Sequence, residues 1–290
     1  MTAAKKLILP EPMNSASARG QIGHEAFTKL ADMVYAQTGI RISVAKRQFV
    51  ESRLLRRLSQ TGDPSFDEYV RRLESRGQDE FRQLIEALTT HKTEWIREKT
   101  HFDFLMNRIV PEARPSASAP LMIWSAACST GEEVYSLSGV LQLGNVAPSG
   151  FRILGTDISD AVVRQSEAGL YPIDGEHAPP RNFEVAGLVK KVQIEGKAAY
   201  QVQPSLRENI KFRQINLKAI QLPSQLMFHV IFVRNVFIYF DDESRRVAVS
   251  GLIRHLHLGG HLILGLSESI PAEPFGLRNL GSSVYQLVAR

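Results

Sequence analysis

Cysteine is nearly missing from the 290-residue sequence, which contains only Cys128. An internal disulfide is therefore excluded, cysteine-rich zinc sites are excluded with it, and the composition fits a reducing, cytoplasmic compartment. No metal centre is expected. No run of 18 apolar residues occurs, so neither a helical membrane span nor direct membrane insertion is expected. Lys5 and Lys6 precede an apolar run that stops at Pro10, too short for the core of a secretion signal. A GxGxxG run is also missing, which argues against a pyrophosphate-binding dinucleotide site. No basic patch is interleaved with aromatic residues, so nucleic acid is not the expected partner.

What is present is an ordinary globular composition, 43% hydrophobic and 22% charged, in a chain long enough for two domains. The net charge of +5 favours an acidic partner. That excess is local. Between Arg41 and Gln60 stand Arg41, Lys46, Arg47, Arg53, Arg56 and Arg57 against the single acid Glu51.

Residues 1–20 carry no hydrophobic periodicity and are expected to form a flexible tail. Helical spacing follows at 24–38, 44–60, 65–75 and 79–89, punctuated by Gly39, Gly62-Asp63-Pro64 and Gly77, which predicts an all-helical domain over 21–90. A linking helix near 100–113 and the loop Pro115 to Pro120 fill 91–120. From 121 to 290 the fold class is α/β. Strands are predicted at 121–127, 151–157, 210–215, 229–235 and 260–266, with helices at 132–142, 159–168 and 242–257. This alternation predicts a parallel, Rossmann-like sheet with helices on both faces. Gly259-Gly260 is assigned to the turn from the last helix into its strand, and a strand near 283–288 closes the sheet. Between about 172 and 209 the alternation fails, and runs at 188–194 and 198–203 around Glu195-Gly196-Lys197 predict a small antiparallel insertion.

The first strand runs into Cys128-Ser129-Thr130-Gly131 and a helix opening with Glu132-Glu133. In doubly wound sheets this turn lies at the carboxyl edge, where ligands bind. Two carboxylates there repel phosphate and attract a cation such as the sulfonium and ammonium groups of S-adenosylmethionine; equally, they are favourable first-turn acids. The second strand ends in Asp157, a position suited to ribose hydroxyls and equally to capping the next helix. Arg234 and Asn235 interrupt an apolar run, as a strand does where it meets a site, although Asn235 could simply pin a loop. Tyr239, taken alone, reads as core.

Six segments, LTTHKTEWIRE (88–98), WSAACSTGEEVYS (124–136), GTDIS (155–159), FRQINL (212–217), VRNVFIYF (233–240) and GLSES (265–269), make the chain resemble the CheR family of chemotaxis-receptor glutamate methyltransferases over about residues 22–290. The resemblance implies an all-α domain, then a Rossmann-like methyltransferase domain interrupted by a β-subdomain, with S-adenosyl-L-methionine as cofactor and S-adenosyl-L-homocysteine as product. It assigns His91, Thr93, Arg97, Glu133, Asp157, Asn216, Leu217, Arg234 and Asn235 to the cofactor. Glu133 lies near the methionine portion, Asp157 at the ribose, and Asn216 with Leu217 beside the adenine. Arg97 and Tyr239 are implied beside the transferred methyl as the catalytic pair. His91 stands where the family usually has asparagine, Trp95-Ile96 where it has two phenylalanines, Val134 where it has proline, and Leu266 where it has histidine. Cys128 replaces a small residue and reads as packing.

The implied partner is the cytoplasmic helical domain of methyl-accepting chemoreceptors, and Lys46, Arg53, Arg56 and Arg57 form a basic helix face suited to acidic receptor helices. A solvated face is the plain alternative. The tight 195–197 connection predicts that no receptor tether peptide is bound. Two rival readings remain: a methyltransferase acting on RNA or another acidic substrate, and a non-catalytic module that binds cofactor or receptor.

Overall fold

The computed structural model describes residues 21–76, 78–173 and 178–289. The expected tail over 1–20 and the break at Gly77 lie outside them. Among the described residues the chain divides into two compact units, 21–33 with 43–88, and 34–42 with 89–289.

The smaller unit is helical. It takes the first part of α1 (His24–Thr38), then α2 (Arg47–Thr61), α3 (Phe66–Arg76) and α4 (Gln78–Leu88). In α2 the buried Val50, Leu54 and Leu58 recur every fourth residue, which puts them on one face. The helix stops at Gly62, whose φ of +76° suits glycine and whose N–H closes on the Leu58 carbonyl. Glu80 of α4 ties three helices together: it accepts from Arg57 Nε at 3.1 Å, from Arg57 Nη2 at 2.7 Å and from the Tyr69 hydroxyl at 2.8 Å.

Beyond residues 34–42, the larger unit contains α5 (Lys99–Phe104), which runs through a π-helical stretch, Leu105–Ile109, into α6 (Val110–Ala113). Its sheet strands are β1 (Leu121–Ala126), β2 (Phe151–Asp157), β6 (Ile210–Gln214), β7 (Phe228–Val233), β8 (Leu256–Leu264), β9 (Leu277–Gly281) and β10 (Val284–Leu287). They lie in the order β6-β2-β1-β7-β8-β10-β9; the first five are parallel, β10 runs against them, and β9, antiparallel to β10, runs in their direction again. The helices are α7 (Glu132–Leu143), α8 (Asp160–Ala168) and α11 (Asp242–Ile253). β1 and β7 are apolar along almost their whole length because side chains on both faces are covered. Trp124, Ala126, Ile231 and Val233 enter one core cluster, and Leu121, Ile123, Val230 and Phe232 the other. The chain leaves β1 for β2 on one side and returns as β7 on the other. That reversal makes the carboxyl ends of β1 and β7 the topological switch point, where ligands bind in doubly wound sheets.

The insertion carries β3 (Leu170–Pro172), α9 (Arg181–Val185), β4 (Val189–Ile194) and β5 (Lys197–Val202), followed by α10 (Pro204–Arg207). Its three strands pair antiparallel in the order β3-β5-β4. Glu195 and Gly196 both have positive φ, the geometry of a two-residue hairpin turn.

Two expectations are corrected. α11 ends at Ile253 rather than 257, because Leu256 already pairs with Phe228 in β8. Gly259-Gly260 therefore lies inside β8, where the register with β7 slips, and not in the turn before it. The closing strand is β10, which pairs antiparallel with β8 and with β9; β9 itself was not expected.

Candidate active site

The site starts from an unusual stretch of backbone. Ala127 and Ser129 have φ of +63° and +51°, conformations that cost a non-glycine residue about 1 to 2 kcal/mol. A dense set of hydrogen bonds holds them there. Cys128 N donates to Thr156 O at 2.8 Å, Ser129 N to Asp157 Oδ2 at 2.9 Å and Ser129 Oγ to His91 O at 3.1 Å. From the other side Ser166 Oγ donates to Ser129 O at 3.1 Å, and the Tyr171 hydroxyl to Thr130 O at 2.7 Å. Gly131, at φ +96°, closes the loop; a Cβ there would lie 2.8 Å from Ser166 Oγ, so only glycine fits.

The two acids that open α7 separate. Glu132 is fully buried and accepts from Thr130 Oγ1 at 2.6 Å. Glu133 turns toward the strand ends, accepting from Ser125 Oγ at 2.6 Å and from Arg234 Nη1 at 3.1 Å. At the end of β2, Asp157 accepts Ser129 N on one oxygen and Ser159 N, at 3.0 Å, on the other. Each oxygen keeps lone-pair capacity for a further donor. Burial pushes this carboxyl above its ordinary range, while the backbone donors and His91 pull the other way. The capping alternative is answered by Ser159, whose Oγ accepts Val162 N and caps α8.

Beyond β7, Arg234 is almost fully buried, with 2% of its side chain exposed, and it bridges two carboxylates. Its Nη2 lies 3.0 Å from Glu98 Oε2, its Nη1 reaches Glu133, and Nη2 also donates to the Arg97 carbonyl. Glu98 further accepts from Asn235 Nδ2 at 3.3 Å and from Leu266 N at 3.2 Å. Burial opposes its ionisation, yet Arg234 and these donors hold its pKa below the usual value. Asn235, at φ +58°, donates its N–H to Glu268, which also receives Gly265 N and Ile238 N. Burial raises the Glu268 pKa against those amides.

Glu98 and Glu268 were not read as site residues, although both lie inside the quoted 88–98 and 265–269 segments.

The remaining expected residues are placed as follows. Arg97 is half-buried, and its Nη1 donates to the Lys92 carbonyl at 3.2 Å. Tyr239 is half-buried on a 3₁₀ turn, Phe237–Tyr239, its carbonyl accepting Arg41 N. His91 Nε2 lies 2.9 Å from Thr89 Oγ1, and Thr93 is half-buried nearby in sequence. Asn216 accepts Lys218 N through Oδ1 and donates through Nδ2 to Gln37 O at 2.6 Å. The Leu217 side chain joins the core cluster containing Trp124 and Leu154. Cys128 is buried, and its thiol is pushed well up, first by burial and then by Asp157, Glu133 and Glu132. Those three acids therefore share one neighbourhood, and the thiol is a poor nucleophile. In the helical unit Lys46, Arg53 and Arg56 are exposed, whereas Arg57 is committed to Glu80. Among the described residues no cluster of His, Cys, Asp and Glu is arranged to hold a metal ion, and no helix is long and apolar enough to cross a membrane.

The family description "CheR methyltransferase, SAM binding domain" matches residues 91–285, and "CheR methyltransferase, all-alpha domain" matches residues 25–89. The chain belongs to the CheR methyltransferase family. Relatives span nearly its whole length. A chemotaxis protein methyltransferase of Borreliella burgdorferi is 34% identical over 257 residues, covering 86% of this chain and 89% of that protein. Chemotaxis protein methyltransferase 1 of Pseudomonas aeruginosa is 33% identical over 239 residues, 80% of this chain and 85% of that one. The chemotaxis protein methyltransferase of Escherichia coli is 32% identical over 270 residues, 90% of each.

As a CheR methyltransferase the chain uses S-adenosylmethionine, and the donor set fits it. Carboxylates at neighbouring strand ends suit a ligand bearing a sulfonium, an ammonium and two ribose hydroxyls, and they disfavour a polyphosphate. Asp157 offers fixed acceptors, and Glu133 offers charge that Arg234 shares with Glu98.

Proposed function

We propose that this CheR-family chain methylates glutamate side-chain carboxylates in the cytoplasmic helical domain of methyl-accepting chemoreceptors. The products are glutamyl methyl esters and S-adenosylhomocysteine, and the reaction serves adaptation in chemosensory signalling in the cytoplasm. When bound, S-adenosylmethionine supplies a methyl group activated by its sulfonium. Glu133, Asp157, Arg234, Asn235, Thr93 and His91 hold and orient that cofactor in this reading, with Asn216 and Leu217 toward the adenine.

The observation that carries the reading is the state of Arg97. Its backbone is fastened to the buried Arg234, while among the described residues its guanidinium has one hydrogen bond, to the Lys92 carbonyl. A cation so placed beside an anionic cofactor site is suited to an incoming carboxylate. Such an acceptor is already ionised at neutral pH, so no general base is required and alignment dominates. Arg97 orients the acceptor, and Tyr239 fixes acceptor or donor beside it.

Exposed Lys46, Arg53 and Arg56 would steer acidic receptor helices. The two-residue Glu195-Gly196 turn supports a form that needs no receptor tether. Measurable binding of a receptor tail peptide would overturn that part. The main test is transfer of tritiated methyl from S-adenosylmethionine to a receptor cytoplasmic fragment. A base-labile label on glutamate is expected; a base-stable label, or a labelled RNA, would replace the reading.

A further inference from the structure

Arg97 sits between two residues in a backbone conformation that only surrounding contacts can maintain. Ile96 has φ +52° and Glu98 has φ +55°. Ile96 is held by a hydrogen bond from its N–H to Ser136 Oγ at 2.9 Å. On the other side the Glu98 carboxylate gathers three chain segments: Arg234 and Asn235 beyond β7, Leu266 beyond β8, and its own stretch leading into α5. Arg234 returns a hydrogen bond to the Arg97 carbonyl. Of this knot, the Arg97 guanidinium is the part that leaves it.

We infer that Glu98 is a positioning residue for methyl transfer, fixing the direction of the Arg97 guanidinium through its ion pair with Arg234; this rests on the role proposed above for Arg97. The carboxylate meets Arg234 from the same segment whose carbonyl Arg234 binds, so the guanidinium of Arg234 clamps residues 97 and 98 together. Removing the charge at 98 lets the segment relax toward ordinary backbone angles. Arg97 then leaves the line of transfer, while Glu133 and Asp157 keep their own partners at the cofactor.

The test is a double-mutant cycle on receptor methylation, using Glu98→Gln, Arg97→Ala and the pair. Glu98→Gln is expected to lower kcat about 10- to 100-fold. Acceptor KM should change by less than about threefold. The calorimetric Kd for S-adenosylmethionine is expected to rise, because Glu98 also binds Arg234 and Asn235, so kcat is compared at saturating cofactor. In the Arg97→Ala background the same change should lower kcat by less than about threefold, because its effect passes through the missing guanidinium. Equal losses in both backgrounds would make Glu98 a merely structural residue and overturn the inference, with the role of Arg97 intact. Full turnover by Arg97→Ala would overturn the reading of Arg97 and this inference with it. Should Glu98→Gln fail to fold, Glu98→Asp enters the same cycle: it keeps the charge but withdraws it from Arg234 by one methylene, and the same non-additivity is expected.

Discussion

Arg234 donates to Glu133 from Nη1 at 3.1 Å, so the helix that follows β1 and the loop that follows β7 meet through one buried ion pair. The same guanidinium serves Glu98, and its removal would strip two largely covered carboxylates of their shared counter-charge. Replacing Arg234 by Met should destabilise the protein by about 3 to 5 kcal/mol. Denaturant titration, followed by intrinsic fluorescence, measures this directly. Arg234→Lys, which keeps the charge but not the fork, should recover only part of the loss.

Asp157 is fixed by two backbone amides, one on each oxygen. In Asp157→Asn one of those amides would face the side-chain NH₂, and the charged acceptor is gone. Affinity for S-adenosylmethionine should fall roughly 10- to 100-fold, the worth of a hydrogen bond to a charged group. The wild-type affinity should also depend on pH. Burial raises the Asp157 pKa, so the cofactor-free protein takes up a proton at higher pH than a free carboxyl would. Binding should strengthen as pH rises through that value and level off above it. Calorimetry over a pH series should show this inflection in the wild type and lose it in Asp157→Asn.

Arg53 and Arg57 should behave differently although four residues separate them on one helix. Arg53 is exposed, and its reversal to Glu should raise the acceptor KM by an amount that shrinks with added salt. Arg57 is paired with Glu80 and largely covered. Its replacement by Ala should cost about 1 to 3 kcal/mol of stability, by leaving Glu80 short of donors. Thermal melting and initial-rate kinetics on the two variants separate these outcomes.

Asp241 caps α11, accepting Ser244 N at 2.9 Å, and it pairs with Arg41. The backbone bond from Ser244, with Tyr35, the Ser244 hydroxyl and Arg41, lowers its pKa to about 2. A depressed carboxylate contributes stability that is complete above the unfolded-state pKa and is lost as pH falls toward the folded value. Asp241→Ala should therefore cost about 0.5 to 2 kcal/mol at neutral pH, as loss of a helix cap does. The gap from wild type should narrow between about pH 4 and pH 2. Urea midpoints measured across that window test it.

The central strands were legible because parallel strands buried on both faces are written as unbroken apolar runs, as in Leu121 to Ala126 and Phe228 to Val233. β9 was not: Leu277 to Gly281 is short and largely exposed, and its pairing partner β10 follows it in the chain. The start of β8 was hidden as well, since Leu256-His257-Leu258 ahead of two glycines reads equally as the end of a helix. Within the site, residues at strand ends announced themselves by turning polar. Glu98 and Glu268 did not, because their meaning arises only where loops from distant parts of the chain converge. Arg57 shows the converse. Spacing along α2 places it with the other cations, and only Tyr69 and Glu80, from α3 and α4, draw it inward.

The last turn of α1 has a practical meaning for anyone dissecting the protein. Ile40 bridges to Phe240, Arg41 reaches Asp241, and Lys218 and Asn216 close the carbonyls of Tyr35, Ala36 and Gln37. A catalytic fragment cut at residue 90 would strip these partners from the flank that carries Tyr239, so a truncation meant to retain activity must carry residues 34–42 with it, supplied as a fused or added peptide.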